Sequence, residues 1–527
     1  MLSKKWIVYT FDIALFLFIA ILLFSKVVSF SLSHDEHQFI APSELLVSRG
    51  LMPYIDYPYL HMPYMVFINA IPVMLPFPHF FSVRIFNAIF LLLSAIIVYC
   101  ESIRIIEVQP VFSKRILATG IVLVYMLNPV MNSSSGWALN HTAPMIFSLM
   151  ALSWFLDAKK SSQPIQPWGI ATGILIGISA FTRLTYALLI PIFLLFFFAL
   201  PALSVRNRFY ATASFLLGIL VSALPAIYLI VKAPYEFFYG NFVYIRLNTI
   251  YQAYLDFNNI ASFSAKITYF FSTIFLSPAG MLLFIGLGIT LILGVRYLFK
   301  PKEIHNFHIL FTAICSVAMF TTAFAPTPVW TKYFLAPLPF MALCLAYTLD
   351  EIFKKRQAIF LIYIISALLV LTIASPLYKT ITGFSILNNP ANWTPILVNN
   401  LAEQVKQQVK FGKVLTLGPL LALDTDVDVF EAFTVGPFSW RTSLLLSAEY
   451  RKRYGVLSPN ELTNYLENSP PAAILTGIEA DFAGFEENEY GGLENPFIQY
   501  AQTHHYRPIT LFTSPKIAKN KLILWVP

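Results

Sequence analysis

Apolar runs joined by short polar links fill the chain from residue 6 to residue 376. A helix needs about 20 mostly apolar residues to cross a bilayer. Eleven runs meet or approach that length, and each predicts a span: 6–30, 81–103, 116–131, 142–157, 168–182, 184–203, 209–231, 266–295, 308–326, 333–349 and 358–376. The stretch PYMVFINAIPVMLPF (63–77) is also apolar, but it is short and interrupted by Pro63, Pro72 and Pro76. Internal proline disfavours a regular helix, so this stretch reads as a re-entrant or surface-lying helix. The distribution of basic residues supports that reading. With 63–77 not crossing and the N-terminus inside, fifteen Lys and Arg from Lys4 to Arg356 fall in inner loops. Six fall in outer loops before residue 377: Arg49, Arg183, Lys232, Arg246, Lys266 and Lys332. A crossing at 63–77 would reverse that bias. After Ser375-Pro376 the pattern changes. Trp393, Ile396, Leu397, Leu401, Val405 and Val409 recur at helical spacing. KVLTLG (413–418) and AAILTG (472–477) read as strands. SPNELTNYLEN (458–468) opens with a helix-start signature, and RPITLFTS with NKLILWVP reads as a closing hairpin. The expected architecture is therefore an α-helical polytopic membrane domain (1–376) followed by a small soluble α/β domain (377–527) outside the membrane.

Composition agrees with the pattern. Hydrophobic residues make up 57% of the chain and charged residues 12%, against roughly 25% charged in soluble domains. The net charge of +8 collects in short inner loops, so it does not point to nucleic acid. The segment 377–527 is slightly acidic, with 14 acids against 12 Lys and Arg. Cys100, Cys315 and Cys344 all lie in apolar runs and staple nothing in the tail. MLSKKW opens like a signal peptide, but the apolar run after it is long and lacks a small-residue cleavage site, so it reads as an uncleaved span. Gly169, Gly173 and Gly177, at four-residue spacing, predict close helix packing. DTDVD (424–428) lacks the glycine and distal glutamate of a calcium hand and reads as a solvated turn.

The chemistry gathers in the first outer loop (31–80). His34, Asp35, Glu36 and His37 follow directly on the first span, with Glu44, Asp56 and His61 beyond. Four of the thirteen acids of residues 1–376 lie here. The loop is also rich in Tyr, Pro and aliphatic residues, and YIDYPYLHMPY predicts a platform with its aromatics at headgroup depth. His34 with Asp35 is a candidate pair for a divalent metal.

An acidic pair after the first span, followed by RGLMPYIDYPYLHMPY, resembles the family C integral-membrane glycosyltransferases that use polyprenyl-phosphate sugars. These include protein O-mannosyltransferases and bacterial lipid A aminoarabinose transferases. Asp35, Glu36, Gly50, Pro53, Tyr54, Asp56, His61 and Pro63 carry the resemblance. SAFTRLTYALLIPIFL and VWTKYFLAPLPFMALCLA resemble later segments of the family. One departure stands out. The second outer loop reads NSSSGWALNHTAP, with Asn140 and His141 where many members have an acid. Either the first loop works alone, or His141 substitutes.

The resemblance implies a multi-pass enzyme of the plasma (inner) membrane. It would move a sugar from a polyprenyl-phosphate carrier to a hydroxyl of a lipid, glycan or protein, usually with inversion. Asp35 is then the expected general base, its pKa raised by partial desolvation, with Glu36 as its orienter or a metal ligand. Arg183, Lys332 and His61 are expected at the donor phosphate. Asp56, Glu44, His141 and Tyr333 are expected around the substrates. A transporter and a non-catalytic assembly protein are the rival readings. The first would show two similar halves and midplane charges, neither of which is visible in the sequence. The second would make Asp35 dispensable. The charge bias predicts that a reporter fused after residue 400 reads as extracytoplasmic; a cytoplasmic readout overturns the assigned orientation.

Overall fold

The computed structural model describes residues 2–108, 111–157, 165–201, 203–254, 262–299, 303–355, 359–479, 492–518 and 521–527. Helices stand at each of the eleven apolar runs. Among the described residues, five are long and apolar enough to cross a bilayer: Val8–Ser29, His79–Ile105, Val205–Lys232, Pro278–Arg296 and Ile304–Thr322. Thr142–Asp157, Pro167–Thr182 and Leu184–Ala199 are apolar but shorter. The run at 266–295 is divided, with Phe263–Phe270 and Pro278–Phe299 meeting around Ser277. The last apolar helix runs through Pro376 as far as Gly383, so the proline at the expected boundary does not end it. The glycine spacing at 169–177 does what it predicts. A Cβ on Gly173 would lie 2.1 Å from the carbonyl oxygen of Phe215, so the helices Ile165–Thr182 and Val205–Lys232 touch backbone to backbone.

Four helices organise the first loop: α1 (Leu2–Ser29), α2 (His34–Arg49), α3 (Tyr64–Val73) and α4 (His79–Ile105). The start of α2 is fixed by Ser33. Its hydroxyl accepts from the Asp35 amide, and the Glu36 carboxylate accepts from the Ser33 amide, which closes a capping box. Gly50 ends the helix at φ 69°, a left-handed position. At ten residues, α3 is about 15 Å long. The tyrosine-rich stretch between α2 and α3 departs from expectation. Tyr54, Tyr57, Tyr59 and Leu60 are buried inside the protein and not spread at headgroup depth. The reason is a polar and aromatic cover from the chain beyond residue 233. Asn241 donates to the Tyr54 hydroxyl at 3.1 Å, and the Tyr54 and Phe237 rings lie 5.0 Å apart.

Arg84, on α4, is the hinge of this arrangement. Its Nε and Nη2 donate to the two Glu36 oxygens at 2.8 and 2.7 Å. Nη1 donates to the carbonyls of Val27 and Phe30, and Nη2 also to that of Ser31, each at 2.9 Å. These are carbonyls at the C-terminal end of α1, which lack helical partners of their own. The second side of Glu36 accepts from the Ala138 amide at 2.9 Å. One buried ion pair thus joins α1, α2, α4 and the loop before Thr142.

Beyond residue 394, five strands among the described residues form one sheet in the order β2-β1-β3-β5-β4. They are β1 (Lys413–Thr416), β2 (Asp428–Val429), β3 (Ala473–Thr476), β4 (Arg507–Leu511) and β5 (Leu522–Val526). β1 pairs in parallel with β2 and β3, while β5 runs antiparallel to β3 and β4. Val414, Leu415, Ile474, Leu475, Leu522 and Leu524 are fully buried, and their apolar faces hold the amphipathic helix Thr394–Gln408 and the helix Asn495–Thr503. DTDVD is not a solvated turn. Asp424 is buried and accepts from the Phe80 amide at 2.9 Å, and Asp428 opens β2. That bond ties the sheet region to the start of α4.

Removing one partner of a buried, hydrogen-bonded ion pair strands the other charge. Arg84→Met is therefore expected to cost ~3–5 kcal/mol and to lower the thermal unfolding temperature in detergent, with part of the loss recovered in the Glu36→Gln/Arg84→Met double variant. An unchanged single variant would remove the hinge role.

Candidate active site

Consecutive residues on a helix point about 100° apart, and the first turn of α2 uses this. Glu36 turns inward to Arg84. Asp35 turns to a different set of partners. Its Oδ2 is in contact with the Lys332 ammonium, and its Oδ1 accepts from Gln38 Nε2 at 3.2 Å. Gln38 stands one turn on, and its own oxygen meets His61 Nε2 at 3.1 Å. Lys332 is presented by a short 3-10 turn, Thr331–Leu335. Arg183 stands between the helix ending at Thr182 and the turn Leu184–Leu188. Its Nη1 donates to Asn140 Oδ1 at 2.8 Å and meets His141 Nε2 at 3.1 Å. Its guanidinium carbon lies 5.4 Å from the Tyr333 ring centre. The Asp35 charge acts on Arg183 and on His61, so these groups share one field.

Of the residues expected at the site, Asp35, His34, His61, Lys332, Arg183, His141 and Tyr333 come together. Three lie elsewhere. Glu36 is consumed by Arg84, Ser33 and Ala138. Glu44 faces His79 at 3.3 Å, in a buried cluster with Asp424 where α2 meets the sheet region. Asp56 accepts from the Met52 amide at 2.7 Å in an exposed turn. Gln38, Arg441 and Glu479 were not among the residues expected there. Arg441 (helix Pro437–Thr442) and Glu479 (after β3) approach His34 from the C-terminal region: Glu479 lies 4.0 Å from His34 Nδ1, and the Arg441 charge acts on His34. The one charged residue in the stretch GPFSWRTSLLLS was the available signal for Arg441.

The electrostatics reverse one expectation. Burial alone pushes the Asp35 carboxyl up, but the Lys332 ammonium, with help from His34 and Arg441, outweighs it and holds Asp35 well below the usual carboxylate range. Burial pulls Lys332 down, and Asp35 more than restores it. Burial lowers His34 to about 4 and His61 to about 3, and it lowers His141 well below its ordinary value. All three imidazoles are neutral near pH 7. Asn140 and His141 are then neutral acceptors for Arg183: they aim the guanidinium without cancelling its charge. An aspartate at either position would have cancelled it.

The residues at this point do not fit a divalent cation. Among the described residues no three His, Cys, Asp or Glu side chains converge on one ion-sized space. His34 Nε2 lies 3.7 Å from Asp35 Oδ1, but the Asp35 oxygens are already met by an ammonium and an amide.

No protein-family model and no curated sequence matches the chain. Solved structures do. ArnT from Cupriavidus metallidurans in the apo state superposes with a TM-score of 0.61 at 13% identity, over 100% of this chain and 98% of that one. The same protein bound to undecaprenyl phosphate gives 0.60 at 13% identity, over 98% of each chain. The Archaeoglobus fulgidus oligosaccharyltransferase tethered with an acceptor peptide gives 0.50 at 14% identity, over 98% of this chain and 74% of that one. The chain has the fold of these solved proteins. The likeness spans both the apolar helices and the sheet region, and it agrees with the resemblance carried by the first loop.

A buried neutral histidine makes stability depend on pH. His37 is fully buried with no hydrogen-bond partner among the described residues, and burial lowers it to about 3. Unfolding restores a value near 6.5, so the folded state loses stability as pH falls below about 6.5, by up to ~1.4 kcal/mol per pH unit. Asp424 and Glu494, pushed by burial up to about 8 and about 7, act with the opposite sign. Asp35, held low in the folded state, adds a loss of stability only below about pH 5. The expected outcome is that His37→Phe loses less unfolding temperature than the unchanged protein between pH 7 and pH 4.5; equal losses would contradict it.

Proposed function

We propose that this protein transfers a sugar from a polyprenyl-phosphate carrier to an acceptor hydroxyl at the outer face of the membrane. The observation that carries the reading is the contact of Asp35 with Lys332, beside an Arg183 aimed by neutral acceptors, on a fold shared with a protein solved with undecaprenyl phosphate. In this reading eleven helices cross the membrane, the N-terminus is inside, and residues 377–527 form an extracytoplasmic α/β domain over the first loop.

The donor phosphate accepts charge-assisted hydrogen bonds from Lys332 and Arg183. Lys332 then turns from the carboxylate to the phosphate, and Asp35 loses the cation that depresses its basicity. The acceptor oxygen attacks the anomeric carbon. The new C–O bond forms as the bond to the phosphate oxygen breaks. The proton of the hydroxyl passes to Asp35, and the carrier departs as polyprenyl phosphate, its added negative charge held by Lys332 and Arg183. Attack opposite the leaving group inverts the anomeric centre. Gln38 holds the Asp35 carboxylate and is itself held by His61. His61 is thus a positioning residue here and not a phosphate ligand. Glu36 sets the start of α2 and with it the place of Asp35. His141 and Tyr333 act through Arg183.

Asp35→Asn is expected to lower transfer by about 10²–10⁴-fold with labelled polyprenyl-phosphate sugars while polyprenyl phosphate still binds. Lys332→Met and Arg183→Met are expected to weaken that binding itself. Full activity of Asp35→Asn sinks the assignment.

A further inference from the structure

Arg441 is buried and has no role in the transfer step as described. Its surroundings are built for a guanidinium. Nη2 donates to Asn248 Oδ1 at 2.6 Å and to the Tyr244 hydroxyl at 3.3 Å. The guanidinium carbon lies 4.5 Å from the centre of the Phe438 ring and 5.3 Å from that of Tyr251. Every one of these partners is neutral. Nε is buried and has no hydrogen-bond partner among the described residues. A buried cation held flat by aromatic rings and neutral acceptors, with a donor left over, is poised for an oxyanion.

The position of Arg441 says which oxyanion. The Phe438 ring that carries it also receives the His34 ring, at 5.3 Å and 87°, so one ring separates Arg441 from the residue before Asp35. The sheet leads to the same place. β1 lies between β2 and β3, so the strand order reverses direction there. Ligands of such parallel arrangements bind beyond the carboxyl ends of the strands at the reversal. Beyond β3 stands Glu479, which reaches toward His34 and whose charge acts on Arg441. Beyond β1, the Leu417 carbonyl underlies Gly436, at the head of the Arg441 helix. Lys332 and Arg183 approach Asp35 from the ends of apolar helices. Arg441 approaches from the sheet region.

We infer that Arg441 is the oxyanion-binding residue of the acceptor half of the site, so that the acceptor carries a phosphate or carboxylate group close to the hydroxyl that receives the sugar. The inference rests on the glycosyl-transfer reading for the word acceptor, and on the geometry alone for the anion.

The test uses full-length protein in nanodiscs, with inorganic phosphate and acetate as probes of the anion site and undecaprenyl phosphate as the probe of the carrier site. Inorganic phosphate or acetate is expected to bind the unchanged protein even when undecaprenyl phosphate is saturating. Arg441→Met is expected to weaken that binding at least tenfold and to leave undecaprenyl phosphate binding within twofold. Arg441→Lys, which keeps the charge and loses the planar fork, is expected to stay at least fivefold weak. Folding of both variants is checked by their retained carrier binding. Anion binding abolished by saturating carrier would assign Arg441 to the carrier phosphate and overturn the inference, as would an Arg441→Met variant that binds the anions normally or one that loses carrier binding. Protein that fails to bind undecaprenyl phosphate but keeps Arg441-dependent anion binding would sink the carrier reading and leave the anion site standing.

Discussion

Everything at the site hangs on the ion pair between Arg84 and Glu36. A guanidinium in the interior of a helical membrane protein is costly unless all its donors are met. Here two go to the carboxylate and the others to carbonyls at the end of α1. That set of bonds fixes where α1 stops and where α2 begins. The capping box with Ser33 then fixes the rotation of α2. Once Glu36 is locked inward, Asp35 has no choice but to face Lys332. The acid pair is adjacent in sequence, and for that reason it is split in role.

A second constraint is the imbalance of charge. Lys332, Arg183 and Arg441 surround a region that holds the carboxyl groups of Asp35 and Glu479, while the nearby histidines are neutral. Neutral acceptors aim two of the cations: Asn140 and His141 for Arg183, Asn248 and Tyr244 for Arg441. This is how the missing acid of the second outer loop makes physical sense. A carboxylate there would pair with Arg183 and close it to an anion. In the proposed reading the asparagine and histidine keep it oriented and open, and His141 acts through Arg183.

Much of the fold was legible because the strongest signals are long and periodic. The apolar runs, the glycine spacing at 169–177, the amphipathic helix after Trp393 and the closing hairpin all appear where their patterns place them. What was not legible depends on contacts between distant segments. The tyrosines of 54–59 carry the composition of an interfacial belt, but the chain near 233–254 covers them, and no local pattern announces that. DTDVD looks like a wet turn until Phe80 supplies an amide to Asp424. Arg84 stands as a lone cation inside the apolar run 81–103, and its pairing with Glu36 could not be read from spacing. Within the site, the residue types were readable and the pairings were not.

The largest gap between sequence and structure is the state of Asp35. Proximity to a membrane argues for a carboxyl made more basic by burial. A salt bridge argues the opposite, and at contact distance the salt bridge wins. These two arguments describe two states of one site. With no anion bound, Lys332 serves Asp35 and the carboxylate is a poor base. When a phosphate takes Lys332, the largest influence opposing burial is withdrawn, and the same carboxylate gains basicity at the moment an acceptor proton has to be removed. In this reading the coupling requires no moving domain. It needs only that a flexible lysine stand between two anions, and that the neutral imidazoles around it leave those anions as its available partners.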